Sequence, residues 1–126
     1  MSKPVYKVLI FLKRRPGLSL EAFRDHYENK HVVVCAPYMK GVRKYTRRYV
    51  TPLPNAITGN NDEMEFDVIT ELSFDDQATV DLVLQYAAKG VLPPEVIEDE
   101  ERVFDRKKIR FATFVECETP CDGPKA

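Results

Sequence analysis

At 126 residues the chain has the size of one domain, large enough to bury a core without covalent staples. A composition of 44% hydrophobic and 31% charged residues excludes wholesale disorder and fibrous repeats. Nineteen Lys and Arg against 20 Asp and Glu give a formal net charge of -1, without the basic excess that nucleic-acid binding usually leaves. The apolar run Val5–Leu12 is too short for a membrane span and is interrupted by Lys7. No small-residue cleavage pattern follows it, so a cytoplasmic protein is the expectation. Cys35, Cys117 and Cys121 form no even-numbered disulfide framework and no paired zinc motif.

In chain order, Val5–Lys13 reads as a first strand, apolar in both registers, with Tyr6, Val8, Ile10 and Leu12 on one face and Val5, Leu9 and Phe11 on the other. One face suits a helix layer, and the other suits a second copy of the sheet. Arg15-Pro16-Gly17 breaks the strand, and Ser19 caps a helix from Leu20. Its apolar side is Leu20, Phe23, Tyr27, His31 and Val34, and the helix is expected to end near Lys30 or His31. Val32–Val34 favour extended structure, Ala36–Met39 a further helical turn, and Pro37 interrupts any continuous helix.

Val42–Val50 is the second strand, with Arg43, Tyr45, Arg47 and Tyr49 on one face. The loop Thr51–Met64 is long enough for a surface loop or a lid. Glu65–Ser73 is the third strand. A second helix, capped by Asp75 or Asp76, reaches Ala88 or Lys89, with Gly90 after its end. Pro93-Pro94 leads into a short acidic helix around Glu95–Arg102, in which Glu98, Asp99 and Glu100 are expected to meet solvent. Asp105–Lys108 is a turn and Ile109–Cys117 the fourth strand. The whole reads as one domain, 1–126, with 119–126 a flexible tail. Its order, βαββαβ, is the ferredoxin-like plan of an α+β domain with a four-stranded antiparallel sheet.

Phosphate-loop, dinucleotide, GxSxG and HExxH motifs are absent, so neither a cofactor nor a metal is expected. Chemistry falls to His26 and His31, the only histidines. Five residues apart on a helix they are separated by about 500° of rotation, or roughly 140° between faces. His31, on the apolar register, is the stronger candidate acid or base, its alternative being a helix-terminal residue bonding a carbonyl. Asp67 is the candidate carboxylate to orient it, or else faces solvent or pairs with Arg47. Tyr27, Tyr45 and Tyr49 are candidate hydrogen-bond donors to a polar aromatic ligand, and Arg43 or Arg47 candidate partners for its carboxylate.

PVYKVLIFLKRRPGLSLEAFRDHYENKHVVVCAP, GVRKYTRRYV and FDVITELSFDD resemble the EthD-domain family of dimeric α+β barrels. More narrowly they resemble small fungal decarboxylases or dehydratases of aromatic-polyketide pathways. The local marker is Phe23, His26-Tyr27 and His31. The resemblance implies a homodimer through the sheet faces, with a pocket between sheet and helices. It implies cofactor-free chemistry in which His31 and Asp67 rank first and His26 next. The expected activity is a lyase decarboxylating an aromatic polyketide β-keto acid. The alternatives are a dehydratase, a cofactor-free monooxygenase or cyclase, and a noncatalytic ligand-binding dimer.

Overall fold

The computed structural model describes residues 6–124; the expected strand start at Val5 and the end of the tail, 125–126, lie outside them. Four strands, β1 (Tyr6–Leu12), β2 (Val42–Tyr49), β3 (Val68–Phe74) and β4 (Arg110–Ala112), form one sheet in the order β2-β3-β1-β4, every pairing antiparallel. With the helices lying between strands, this is the α+β ferredoxin-like fold. The register places Val8, Ile10 and Leu12 opposite Leu72, Thr70 and Val68, so these alternate residues share one face. The helices cover that face. The other carries Leu9, Phe11 and Ile69, with Glu71 close to Lys7 and Arg48.

Two clusters fill the space under the helices. Val8, Leu72 and Phe74 pack with Val80 of α3 (Gln77–Lys89), whose N-cap Asp76 accepts from the Thr79 amide. Gly90 ends α3 in the left-handed region, φ 65°, where a glycine bears no Cβ penalty. The second cluster joins Leu12, Phe23, Tyr27, Val68, Val103 and Phe104.

The first helical segment departs from expectation. α1 (Leu20–His26), with Ser19 accepting from the Ala22 amide, passes without a break into a π-helical turn, Tyr27–His31. There the Val32 amide donates to the Tyr27 carbonyl, an i→i+5 bond. α2 (Val32–Cys35) and a 3₁₀ turn, Ala36–Tyr38, continue it. The three valines are helical despite their strand preference; Val32 packs against the core, whereas Val33 is exposed. Pro37 is accommodated in the terminal turn.

Three further boundaries move. A bulge between Val42 and Lys44 puts Val42 on the Tyr45 face, where it joins the core, and leaves Arg43 outside the tyrosine row. β3 begins at Val68 rather than Glu65. β4 pairs only over Arg110–Ala112, and the chain from Thr113 to Pro124 is irregular.

Candidate functional site

α4 (Pro94–Val103) buries Val96, Asp99 and Val103, spaced three and four residues apart and therefore on one side. Asp99 thus points inward with 2% of its surface exposed, contrary to the solvent-facing expectation. Its Oδ2 accepts from His31 Nδ1 at 2.8 Å and its Oδ1 from His26 Nε2 at 2.9 Å. The π-helical turn is what makes this convergence geometrically available. The divergence of the histidines calculated for a regular α-helix does not apply across an i→i+5 turn, which takes up one extra residue.

Asp67, expected to orient His31, belongs to another constellation. Its Oδ2 accepts from the Arg14 amide at 2.9 Å, and its Oδ1 lies 3.2 Å from Arg14 Nη1 and 3.4 Å from Lys13 Nζ. Neither histidine nor Arg47 is among these partners. The sequence reading missed Asp99 because it placed Glu98, Asp99 and Glu100 together in solvent. The usable signal was that Asp99 occupies the Val96–Val103 stripe.

The electrostatics of the histidine node follow from burial. His31 is only 4% exposed, and burial lowers its pKa below the ordinary 6.5 despite the opposing pull of Asp99. Burial alone would raise the Asp99 carboxyl, but the two histidine hydrogen bonds outweigh it and hold the group below its ordinary value. A neutral His31 beside an ionised Asp99 must carry its proton on Nδ1, because a carboxylate only accepts. That leaves Nε2 with a lone pair, directed at Cys35 Sγ 3.4 Å away. Burial pushes the Cys35 thiol up to about 12, so it stays protonated and donates to that lone pair.

Around the imidazole lies an aromatic wall. The rings of Tyr27 and Phe104 meet His31 edge-on at centroid distances of 5.5 and 5.0 Å. Tyr45 donates to the Tyr27 hydroxyl at 2.9 Å, leaving Tyr27 to donate to Thr70 Oγ1 at 2.7 Å. Burial pushes the Tyr27 phenol up to about 12 and raises Tyr45 further, so both remain proton donors.

The other expected binding residues divide. Arg47 is held by Glu28 through Nε at 2.6 Å and Nη2 at 2.8 Å, and its guanidinium stacks over Tyr45, 4.7 Å from the ring centroid. Tyr49 donates to the same Glu28 carboxylate at 2.5 Å. Those hydrogen bonds, that of Arg47 foremost, lower the Glu28 pKa; burial, then the bond to Glu28, raises that of Tyr49. Arg47 is therefore already committed to an internal carboxylate. Arg43 is exposed at the rim and pairs with Asp75 at 3.2 Å, away from the tyrosines.

Two surface depressions of about 510 and 520 Å³ are open to solvent. One is lined by Phe23, Arg24, Glu28, Tyr49, Thr51 and Asp67 among others, the other by Lys13, Arg14, Arg15, Glu63 and Lys108 among others. Neither reaches His31. The tip of the loop after β2 closes through the Asn55–Asn60 and Gly59–Asn55 backbone bonds, and Glu63 and Met64 tie the loop to Lys13. Among the described residues, no three His, Cys, Asp or Glu side chains form a metal-holding group, and no helix is long and apolar enough to cross a membrane.

Solved structures with the same fold include an ethyl tert-butyl ether D family protein from Bacillus halodurans, 21% identical, with a TM-score of 0.52 over 89% of this chain and 99% of that one. An Arabidopsis thaliana protein is 16% identical, with a TM-score of 0.52 over 94% of this chain and 100% of that one. An EthD-like protein from Ralstonia eutropha is 15% identical, with a TM-score of 0.53 over 94% and 98%. At these identities the likeness is one of fold. No curated protein sequence matches the chain. The EthD domain model matches residues 15–107, which include both histidines, Asp67, Asp99 and the tyrosine row, and the chain therefore belongs to the EthD-domain family.

Proposed function

We propose that this protein is a cofactor-independent acid–base enzyme in which neutral His31 accepts a proton, acting on an aromatic polyketide by dehydration or ring closure. The observation that carries the reading is the 2.8 Å bond from His31 Nδ1 to Asp99, which leaves the basic lone pair on Nε2, where substrate would take the place of the Cys35 thiol. Decarboxylation assisted by a protonated imidazole, the reaction the sequence resemblance puts first, suits a depressed histidine pKa less well. In dehydration, Nε2 takes the α-proton, and a phenolic hydroxyl, Tyr45 or Tyr27, protonates the departing hydroxide. Electrons from the broken C–H bond form the new double bond as the C–O bond breaks, and aromatisation supplies the driving force. The substrate class rests on the likeness to fungal aromatic-polyketide proteins. The uncovered sheet face with Leu9, Phe11 and Ile69 is the surface through which two copies would pair.

The test is incubation of the purified protein, without additives, with a β-hydroxy aromatic polyketide acid, following water loss and CO₂ separately. Cofactor-free water loss that disappears in His31→Gln is the expected result, whereas unchanged turnover in that variant removes His31 from the chemistry. Release of CO₂ instead of water would return the decarboxylase reading. A noncatalytic ligand-binding dimer is the second reading, favoured by the 4% exposure of His31 and by two depressions that stop short of it. Saturable binding with no product would decide for it.

A further inference from the structure

Lys13 and Arg14 stand at the end of β1 with unusual charge bookkeeping. The Lys13 side chain is nine-tenths buried, yet it shares its one buried counterion, Asp67, with Arg14. Two cations therefore face one interior carboxylate. The second carboxylate comes from Glu63, whose side chain is 53% exposed, on the irregular segment between β2 and β3. Glu63 Oε1 accepts from Lys13 Nζ and lies 2.9 Å from Arg14 Nη2. The remaining Lys13 donor bond goes to the Met64 carbonyl at 2.9 Å. Beside this cluster opens the depression of about 520 Å³, to which Arg15 and Lys108 add positive charge and Glu65 and Asp105 negative charge.

We propose that Lys13 and Arg14 form a binding site for a small-molecule carboxylate, which Glu63 fills as a tethered stand-in. An ammonium and a guanidinium converging on one oxygen is the donor arrangement a free carboxylate would use. With Glu63 withdrawn, the wall of the depression holds four cations against Glu65 and Asp105, and a buried Lys13 lacks its second partner. A carboxylate on a short flexible tether competes at an effective concentration on the order of millimolar. A free dicarboxylate therefore displaces it only in that range, and displacement releases the Glu63 side chain while the Met64 carbonyl keeps its bond to Lys13. Asp67, the counterion that Lys13 and Arg14 share, also borders the other depression.

Calorimetric titration with malonate tests the site, independently of any enzymatic activity. Glu63→Gln and Glu63→Ala should each bind malonate at least about tenfold more tightly than the unaltered protein. Adding Arg14→Gln to either should abolish the gain. In the unaltered protein, millimolar malonate should shift the amide resonances of Glu63 and Met64. Equal malonate affinity with and without Glu63, a gain that survives Arg14→Gln, or unmoved Glu63 and Met64 amides would each overturn the proposal. Tighter binding of inorganic phosphate than of malonate would overturn the assignment to carboxylates.

Discussion

Two buried aspartates, Asp99 and Asp67, differ in what they are buried against. Asp99 accepts from His26 and His31, groups that can shed their charge. Asp67 accepts from an arginine amide and lies between an arginine and a lysine, types that keep their charge through the range where histidine loses it. The first node sets its carboxylate against imidazoles, groups suited to proton transfer, whereas the second sets it against an ammonium and a guanidinium. A buried carboxylate by itself says nothing about catalysis. Its partners decide.

The contrast breaks most sharply on truncation. Asp67→Ala strands Lys13 with no interior counterion and is expected to cost about 3–5 kcal/mol in urea denaturation. Asp99→Ala should cost less, about 2–3 kcal/mol by the same measurement, because the histidines it abandons can be neutral. Equal losses would remove the distinction. Tyr27→Phe leaves the Thr70 and Tyr45 hydroxyls short of a partner and should cost about 1–2 kcal/mol. The pH dependence sharpens the comparison further. The folded pKa of His31 lies below its ordinary 6.5, so below that pH the unfolded chain takes up protons that the folded one refuses. Stability is then lost as pH falls from about 6.5 toward the folded pKa, with a slope of at most about 1.4 kcal/mol per pH unit. Asp99, also lowered, adds a loss below its ordinary 3.8. His31→Gln should flatten the upper segment in denaturation curves recorded from pH 7 to 5, while Asp67→Asn leaves it in place. The smallest effect is Glu98→Ala, expected within about 0.5 kcal/mol because that neighbour of Asp99 is exposed and only pairs with Arg102.

Where the sequence reading succeeded, the determinants were local. Ser19 and Asp76 cap the helices they were expected to cap, Gly90 ends the second, and β1, apolar in both registers, pairs with an alternating β3 in a sheet whose helix-covered face holds the core. The strong apolar period at Phe23, Tyr27 and His31 already turned His31 inward. Less legible was the phase of β2. A single bulged residue after Val42 sends Arg43 to the rim, and no turn residue announces it.

The sequence by itself determined a βαββαβ chain, its caps, and an inward histidine on the first helical segment, because each depends on neighbours within a few positions. Tertiary structure alone decided which carboxylate meets that histidine. Asp67 is 36 residues from His31 and Asp99 is 68, and spacing along the chain favours neither. The choice was made by one π-helical turn and by the phase of α4, which together carry His26 and His31 to the same carboxylate while Lys13 and Arg14 claim the other. A π-helical turn leaves no signature in residue type. It persists because the packed aromatic wall and the Asp99 bonds favour it over the regular helix that the apolar period alone would predict.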